Sequence, residues 1–170
     1  MTAAGHDAEQ SRMEEIYARH FDMVYRISLS YLKNPADAED ATADVFARLL
    51  RKRPEFDSFE HEKAWLIRTA VNICKDRLRH WWNRRADLSE RPDPTGPAYP
   101  QSDEVWQAVV ELPPRCKDVI YLYYYEGYTS REVAEILKRP HSTVRSQLRE
   151  ARARLKGVLQ DEERADSPRL

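Results

Sequence analysis

Val144, Leu148, Ala151 and Leu155 step by four, three and four residues, and Arg145, Arg149, Arg152 and Lys156 repeat that stepping one residue later. An α-helix turns through about 100° per residue, so the two sets form adjacent stripes, one apolar and one basic. A helix of this kind must lie on a core with its cations beside the buried edge. Upstream, Thr129 with Glu132 has the form of a capping box. It opens a short helix that buries Val133, Ile136 and Leu137. Lys138, Arg139 and Pro140 turn the chain, and Ser142 or a neighbour caps the striped helix, expected to run to about Leu159. A short capped helix, a tight turn and a two-striped helix make a helix-turn-helix.

The chemistry of the basic stripe follows from its geometry. A guanidinium fork matches the O6 and N7 acceptors of guanine, and it matches phosphate oxygens equally well. Residues early in a recognition helix reach base edges, and later ones hold the backbone. Thr143, Arg145, Ser146 and Arg149 are therefore assigned to base edges or nearby phosphates of duplex DNA. Arg152 and Lys156 are assigned to phosphate. The plain alternative is a solvated helix face, which is the ordinary explanation of any single charge run.

The rest of the chain is patterned for helices. A helix from about Met13 to Leu32 ends at Asn34-Pro35, where a second begins with proline in its first turn. In the second, Ala38, Ala41, Thr42, Val45, Phe46 and Leu49 fall on one apolar face, and Pro54 breaks it. Residues 53–61 are expected to form a loop containing Phe56 and Phe59. A long helix at 62–82 carries Ala64, Ile67, Val71, Cys74 and Leu78 on its apolar stripe. Residues 86–102 hold four prolines and several acids without apolar periodicity, so they are expected to be a flexible linker. Two short helices follow, stopped by Pro113 and by Gly127 at a left-handed position. The expected fold is all-α, with two helical domains at 13–85 and 103–160 and disordered ends at 1–12 and 161–170.

The helix at 62–82 has its own polar stripe, Arg68, Asn72, Lys75 and Arg79, extended at its ends by Trp65 and Trp82. Rings that stack, an amide that reads a base edge and cations that track phosphate suit unstacked bases, although Trp65 equally fits a core. Asp37, Asp40 and Asp44 line one side of the second helix. The helix dipole accounts for Asp37 but less well for Asp44, and an acidic face also suits a basic protein partner.

The net charge of −1 conceals segregation: positions 68–85 hold six basic residues against Asp76, and positions 138–156 hold seven against Glu150. Two basic segments separated by an acidic one point to two contacts with a polyanion. Gly5, Gly96, Gly127 and Gly157 are too far apart for a glycine-rich phosphate loop. Cys74 and Cys116 match no metal spacing and are expected to be buried reduced thiols in a cytoplasmic protein. The polar start does not read as a signal peptide, and no apolar run approaches a membrane span. No nucleophile–base constellation is visible, so neither catalytic residues, a cofactor nor a metal is expected.

DAEDATADVFARLL at 37–50, KAWLIRTAVNICKDRLR at 63–79 and LPPRCKDVIYLYYYEGYTSREVAEILKRPHSTVRSQLREARARL at 112–155 together resemble the extracytoplasmic-function sigma factors of bacteria. The resemblance covers roughly residues 13–159, in the family's order and spacing. It implies a transcription initiation factor that grips core RNA polymerase with the first segment. The second would hold the melted −10 strand and the third duplex −35 DNA, with an anti-sigma factor as a further partner. It places Asp37, Glu39, Asp40, Asp44 and Phe46 in the polymerase-binding helix. Asn72 and the loop around Phe56 to Glu60, Phe59 included, fall among positions for exposed −10 bases. Arg145, Ser146, Arg149 and Arg152 fall among −35 contacts. Ala43 stands where the family usually has glutamine, and Gln147 and Glu150 where basic residues are common. A carboxylate facing DNA is costly, and Glu150 has Arg154 at i+4 as a partner. The rival expectation is a stand-alone helix-turn-helix regulator with a sensory or dimerising N-terminal half.

Overall fold

The computed structural model describes residues 3–85 and 104–165, which are all-α. The first compact unit holds α1 (Ala3–Leu32), α2 (Pro35–Lys52) and α3 (Phe59–Arg85). The second holds α4 (Glu104–Val110), α5 (Pro114–Tyr124), α6 (Ser130–Leu137) and α7 (His141–Ala165). The expected linker at 86–102, residues 1, 2 and 166–170, and the side chain of Trp82 lie outside the described residues.

Local chemistry sets the helix ends of the first unit. Lys33 leaves α1 in the left-handed region, at φ 57°. Asn34 then caps α2 by accepting the Asp37 N–H at 3.2 Å, with Pro35 in the first turn, where a missing N–H costs nothing. All six apolar-face residues of α2 are buried, and α2 packs against both α1 and α3. The core of the unit is completed by Ile16, Val24 and Ile27 from α1 and by Leu66, Ile67, Ala70 and Cys74 from α3. Burying each large aliphatic side chain contributes about 1.5–3 kcal/mol.

Three boundaries differ from the sequence expectation. Residues 3–12, expected to be disordered, continue α1, and α3 begins at Phe59 rather than near Glu62. Ser58 caps that start by accepting the His61 N–H at 3.1 Å. At the other end of the chain, α7 runs to Ala165, so residues 161–165 are helical too.

In the second unit, Trp106, Val109, Ile120, Tyr121, Leu122, Val133 and Ile136 pack around the buried stripe of α7. Past α5, the chain turns through Gly127 at φ 74°, two residues beyond the cap at Tyr125. The Thr129–Glu132 capping box forms in both directions: Thr129 Oγ1 accepts the Glu132 N–H at 3.3 Å, and Glu132 Oε2 accepts the Thr129 N–H at 2.8 Å. The Thr129 N–H, together with the Thr129 hydroxyl donating to the same oxygen at 2.8 Å, holds the Glu132 carboxyl below its ordinary range. The turn between α6 and α7 uses Lys138, at φ 52°, where glycine is the usual choice. Ser142 is not the cap of α7. The helix starts at His141, the Pro140 carbonyl accepts the Val144 N–H at 3.1 Å, and His141 meets the Ser130 hydroxyl at 2.9 Å. Cys74 and Cys116 are buried and form no disulfide, and burial pushes the Cys116 thiol up to about 11.

Candidate nucleic-acid interface

The two stripes of α7 separate as their spacing requires. Val144, Leu148, Ala151 and Leu155 are buried, and Arg145, Arg149, Arg152 and Lys156 are exposed. Ser146 is exposed beside them and Thr143 is half-buried. Among the described residues Arg145 and Arg149 carry no ion pair, so their forks face solvent.

Helix α5 fixes the rotation of α7 from both flanks. On the basic flank, Arg152 lies over the Tyr123 ring at 4.9 Å and donates from Nε to the Tyr124 hydroxyl at 3.3 Å. That hydrogen bond raises the Arg152 pKa. On the opposite flank, Glu150 receives a two-pronged bond from Arg115: Nε donates to Oε2 at 2.9 Å, and Nη2 to Oε1. Arg154 joins at 3.3 Å, as the i+4 spacing suggested. Glu150 is therefore enclosed by two guanidinium groups, and it forms a structural tie between α5 and α7. Arg115 stands 35 residues away, so no local pattern pointed to it. The Arg115 bonds hold the Glu150 carboxyl down at about 2. The tie is complete above the ordinary carboxylate range and is lost as pH falls through about 2. Side-chain carboxyl NMR should find Glu150 titrating there, and near an ordinary glutamate in Arg115→Ala. An ordinary value in the unmodified protein would contradict the tie.

The turn leading into α7 is held from inside. Asp118 of α5, 1% exposed, receives both Nη1 (3.0 Å) and Nη2 of Arg139, and Nη1 also donates to Gln147 at 3.1 Å. Gln147 thus serves the turn.

In the first unit, Asn72 and Arg79 are exposed on α3, while Trp65, Arg68 and Lys75 are half-buried. Burial draws the Arg68 pKa down. Arg79 donates to Asp76 at 3.0 Å, and Trp65 meets the Phe56 ring edge-on at 6.0 Å. Phe59 is 49% exposed at the first turn of the helix. Loop and stripe together form a surface of rings, an amide and cations.

On α2, Asp37, Glu39 and Asp40 are exposed. Asp44 is also exposed, but Arg77 of α3 donates to it at 2.6 Å, so an internal ion pair accounts for this acid. Phe46 departs from the expectation of a partner-facing ring. It is 6% exposed and packs on Tyr17 at 4.7 Å, because it belongs to the apolar face of α2. It forms the floor of a groove of about 440 Å³ whose walls include Met13, Tyr17, Leu49 and Leu50. Tyr17 and Leu50 are exposed there at 47% and 55%. Sequence reading missed both. Leu50 falls outside the buried arc of α2, which was the available signal.

Comparison with known proteins supplies the frame for this geometry. Residues 16–84 match the family described as Sigma-70 region 2, and residues 102–155 match Sigma-70, region 4. The chain is 27% identical over 168 residues to ECF RNA polymerase sigma factor SigE of Mycolicibacterium smegmatis, covering 92% of this chain and 65% of that protein. It is 26% identical to SigM of Mycobacterium tuberculosis, covering 94% of this chain and 83% of SigM. It is 25% identical to SigW of Bacillus subtilis, covering 90% and 91%. In fold it is similar to the sigma factor RpoE solved with the anti-sigma factor NepR from Bartonella quintana, with a TM-score of 0.70, 20% identity and coverage of 86% and 96%. It is likewise similar to the structure of CnrH in complex with the cytosolic domain of CnrY, with a TM-score of 0.62, 24% identity and coverage of 93% and 91%. With region 2 matched across α1–α3 and region 4 across α4–α7, the chain belongs to the sigma-70 family, in its extracytoplasmic-function branch.

Proposed function

We propose that this chain binds core RNA polymerase and directs it to promoters by reading a −10 and a −35 element. The observation that carries the reading is the capped α6 followed by α7, with its buried stripe and two unpaired, exposed arginines at its outer edge. Thr143, Arg145, Ser146 and Arg149 read base edges of the −35 duplex, and Arg152 and Lys156 hold its backbone. Phe59, Trp65, Arg68, Asn72, Lys75 and Arg79 receive the melted −10 strand, with rings stacking on bases and cations following phosphates. Asp37, Glu39 and Asp40 meet the polymerase, with Phe46 acting through the groove it floors and Asp44 held beside them by Arg77. Two modest sites on one chain raise affinity by effective concentration, so neither needs to bind tightly alone.

The chain performs no bond chemistry of its own in this account. It works in the cytoplasm, in keeping with the lack, among the described residues, of any helix long and apolar enough to cross a membrane. An anti-sigma factor is proposed as its inhibitor, by likeness to RpoE solved with the anti-sigma factor NepR. Gel filtration of the chain with core polymerase is the first test. Co-elution as a stable complex is expected, and separate elution at micromolar concentrations would remove the polymerase from the account.

A further inference from the structure

The segment between α2 and the first turn of α3 is held along its length by one face of α1. Glu9 accepts from Arg53 at 3.2 Å. The Arg12 guanidinium lies over Phe56, 6.0 Å from the ring centre. Arg19 lies over Phe59 at 5.6 Å and donates to Glu62 at 3.1 Å. His20 stacks on Phe59 at 5.4 Å, and its Nε2 is 2.8 Å from the same Glu62 oxygen. His20 and Glu62 are buried, so this anchor is rigid and its polar groups are satisfied. Glu9, Arg12, Arg19 and His20 recur at helical spacing, and the first two lie in the part of α1 that carries no apolar stripe.

Core formation does not explain the arrangement. Phe59 is half exposed, and Phe56 sits in a segment outside any helix. Two aromatic rings at a solvent boundary are nevertheless fixed by cations from another helix. Fixing a side chain before a ligand arrives removes an ordering cost that binding would otherwise carry.

We infer that α1 is a rigid backing for this loop, and that Arg12 and Arg19 are positioning residues that hold the Phe56 and Phe59 rings ready for an unpaired nucleobase. The inference rests on the proposed role of the loop in receiving the melted −10 strand. It gives the N-terminal part of α1 a task in promoter opening.

The test uses holoenzyme assembled from the full chain and core polymerase. The probe is the fork-junction DNA that the unmodified holoenzyme enriches most from a pool randomised in its single-stranded segment. The double variant Arg12→Ala/Arg19→Ala should bind that fork about tenfold more weakly, the effect of leaving two side chains to be ordered on binding. Its affinity for duplex carrying only the upstream element should not change. Arg12→Lys/Arg19→Lys, which keeps both cations, should recover much of the loss. Asn72→Ala serves as the control on the loop's role. Fork binding by the double alanine variant within about twofold of unmodified protein, with Asn72→Ala weakened, overturns the inference alone. If Asn72→Ala also binds normally, the −10 assignment fails and the inference falls with it. A loss that tracks a lowered melting temperature and is not recovered by the lysines means structural support only, and it too overturns the inference.

Discussion

Replacing Arg139 by alanine should destabilise the α4–α7 unit by about 3 kcal/mol, before any contact with DNA is considered. Arg139 brings both terminal nitrogens to Asp118, a carboxylate that is 1% exposed, and ties Gln147 of α7 into the same cluster. Removing the guanidinium leaves a buried carboxylate without the cation that offsets its desolvation. A unit of this size has a small core and little stability in reserve. Hydrogen exchange resolved to α5 and α7 should accelerate by about a hundredfold in Arg139→Ala, since each decade corresponds to 1.4 kcal/mol. Arg139→Lys should fall between, keeping the charge but losing the fork. Arg115→Ala is the contrast: its pair with Glu150 lies at the surface, and its loss should leave hydrogen exchange close to that of the unmodified protein. Equal effects at Arg139 and Arg115 would refute this division between a buried anchor and a surface tie.

Arg145→Ala and Arg149→Ala should each weaken duplex −35 binding by about 1–3 kcal/mol and relax sequence preference at one position. Their forks are exposed and unpaired, so the change removes a contact without disturbing the fold. Arg152→Ala should behave differently. Arg152 is already seated on Tyr123 and Tyr124, which suits a fixed phosphate contact and restricts its reach to a base. It should lower affinity for all sequences alike and reduce the slope of log affinity against log salt by about 0.9. Anisotropy titrations of holoenzyme on a selected promoter, at several salt concentrations, separate the two classes. A uniform loss in all three variants would remove the assignment of base readers.

Much of this is legible in the amino-acid sequence itself. The face Ala38 to Leu49, the paired stripes of α7 and the Thr129–Glu132 box are local patterns, and local spacing determines which side of a helix is buried. What escaped depends on residues distant in the chain. The N-terminal part of α1 has no apolar stripe to announce it, and its ties run to Arg53 and Phe56, 44 residues away in the case of Glu9–Arg53. Arg115 meets Glu150 across 35 residues, and Asp118 meets Arg139 across 21. Asp44 and Phe46 show the converse limit. Their residue types suit a partner-facing surface, but Arg77 and Tyr17 engage them within the unit.

Transcription in vitro with purified core polymerase over a library of promoter fragments tests the central claim most directly. The account predicts start sites that depend on this chain and share two sequence elements at a constrained spacing. The downstream element should degrade in Asn72→Ala and the upstream one in Arg145→Ala or Arg149→Ala. Start sites that are the same with and without the chain, or that share no second element, would contradict it.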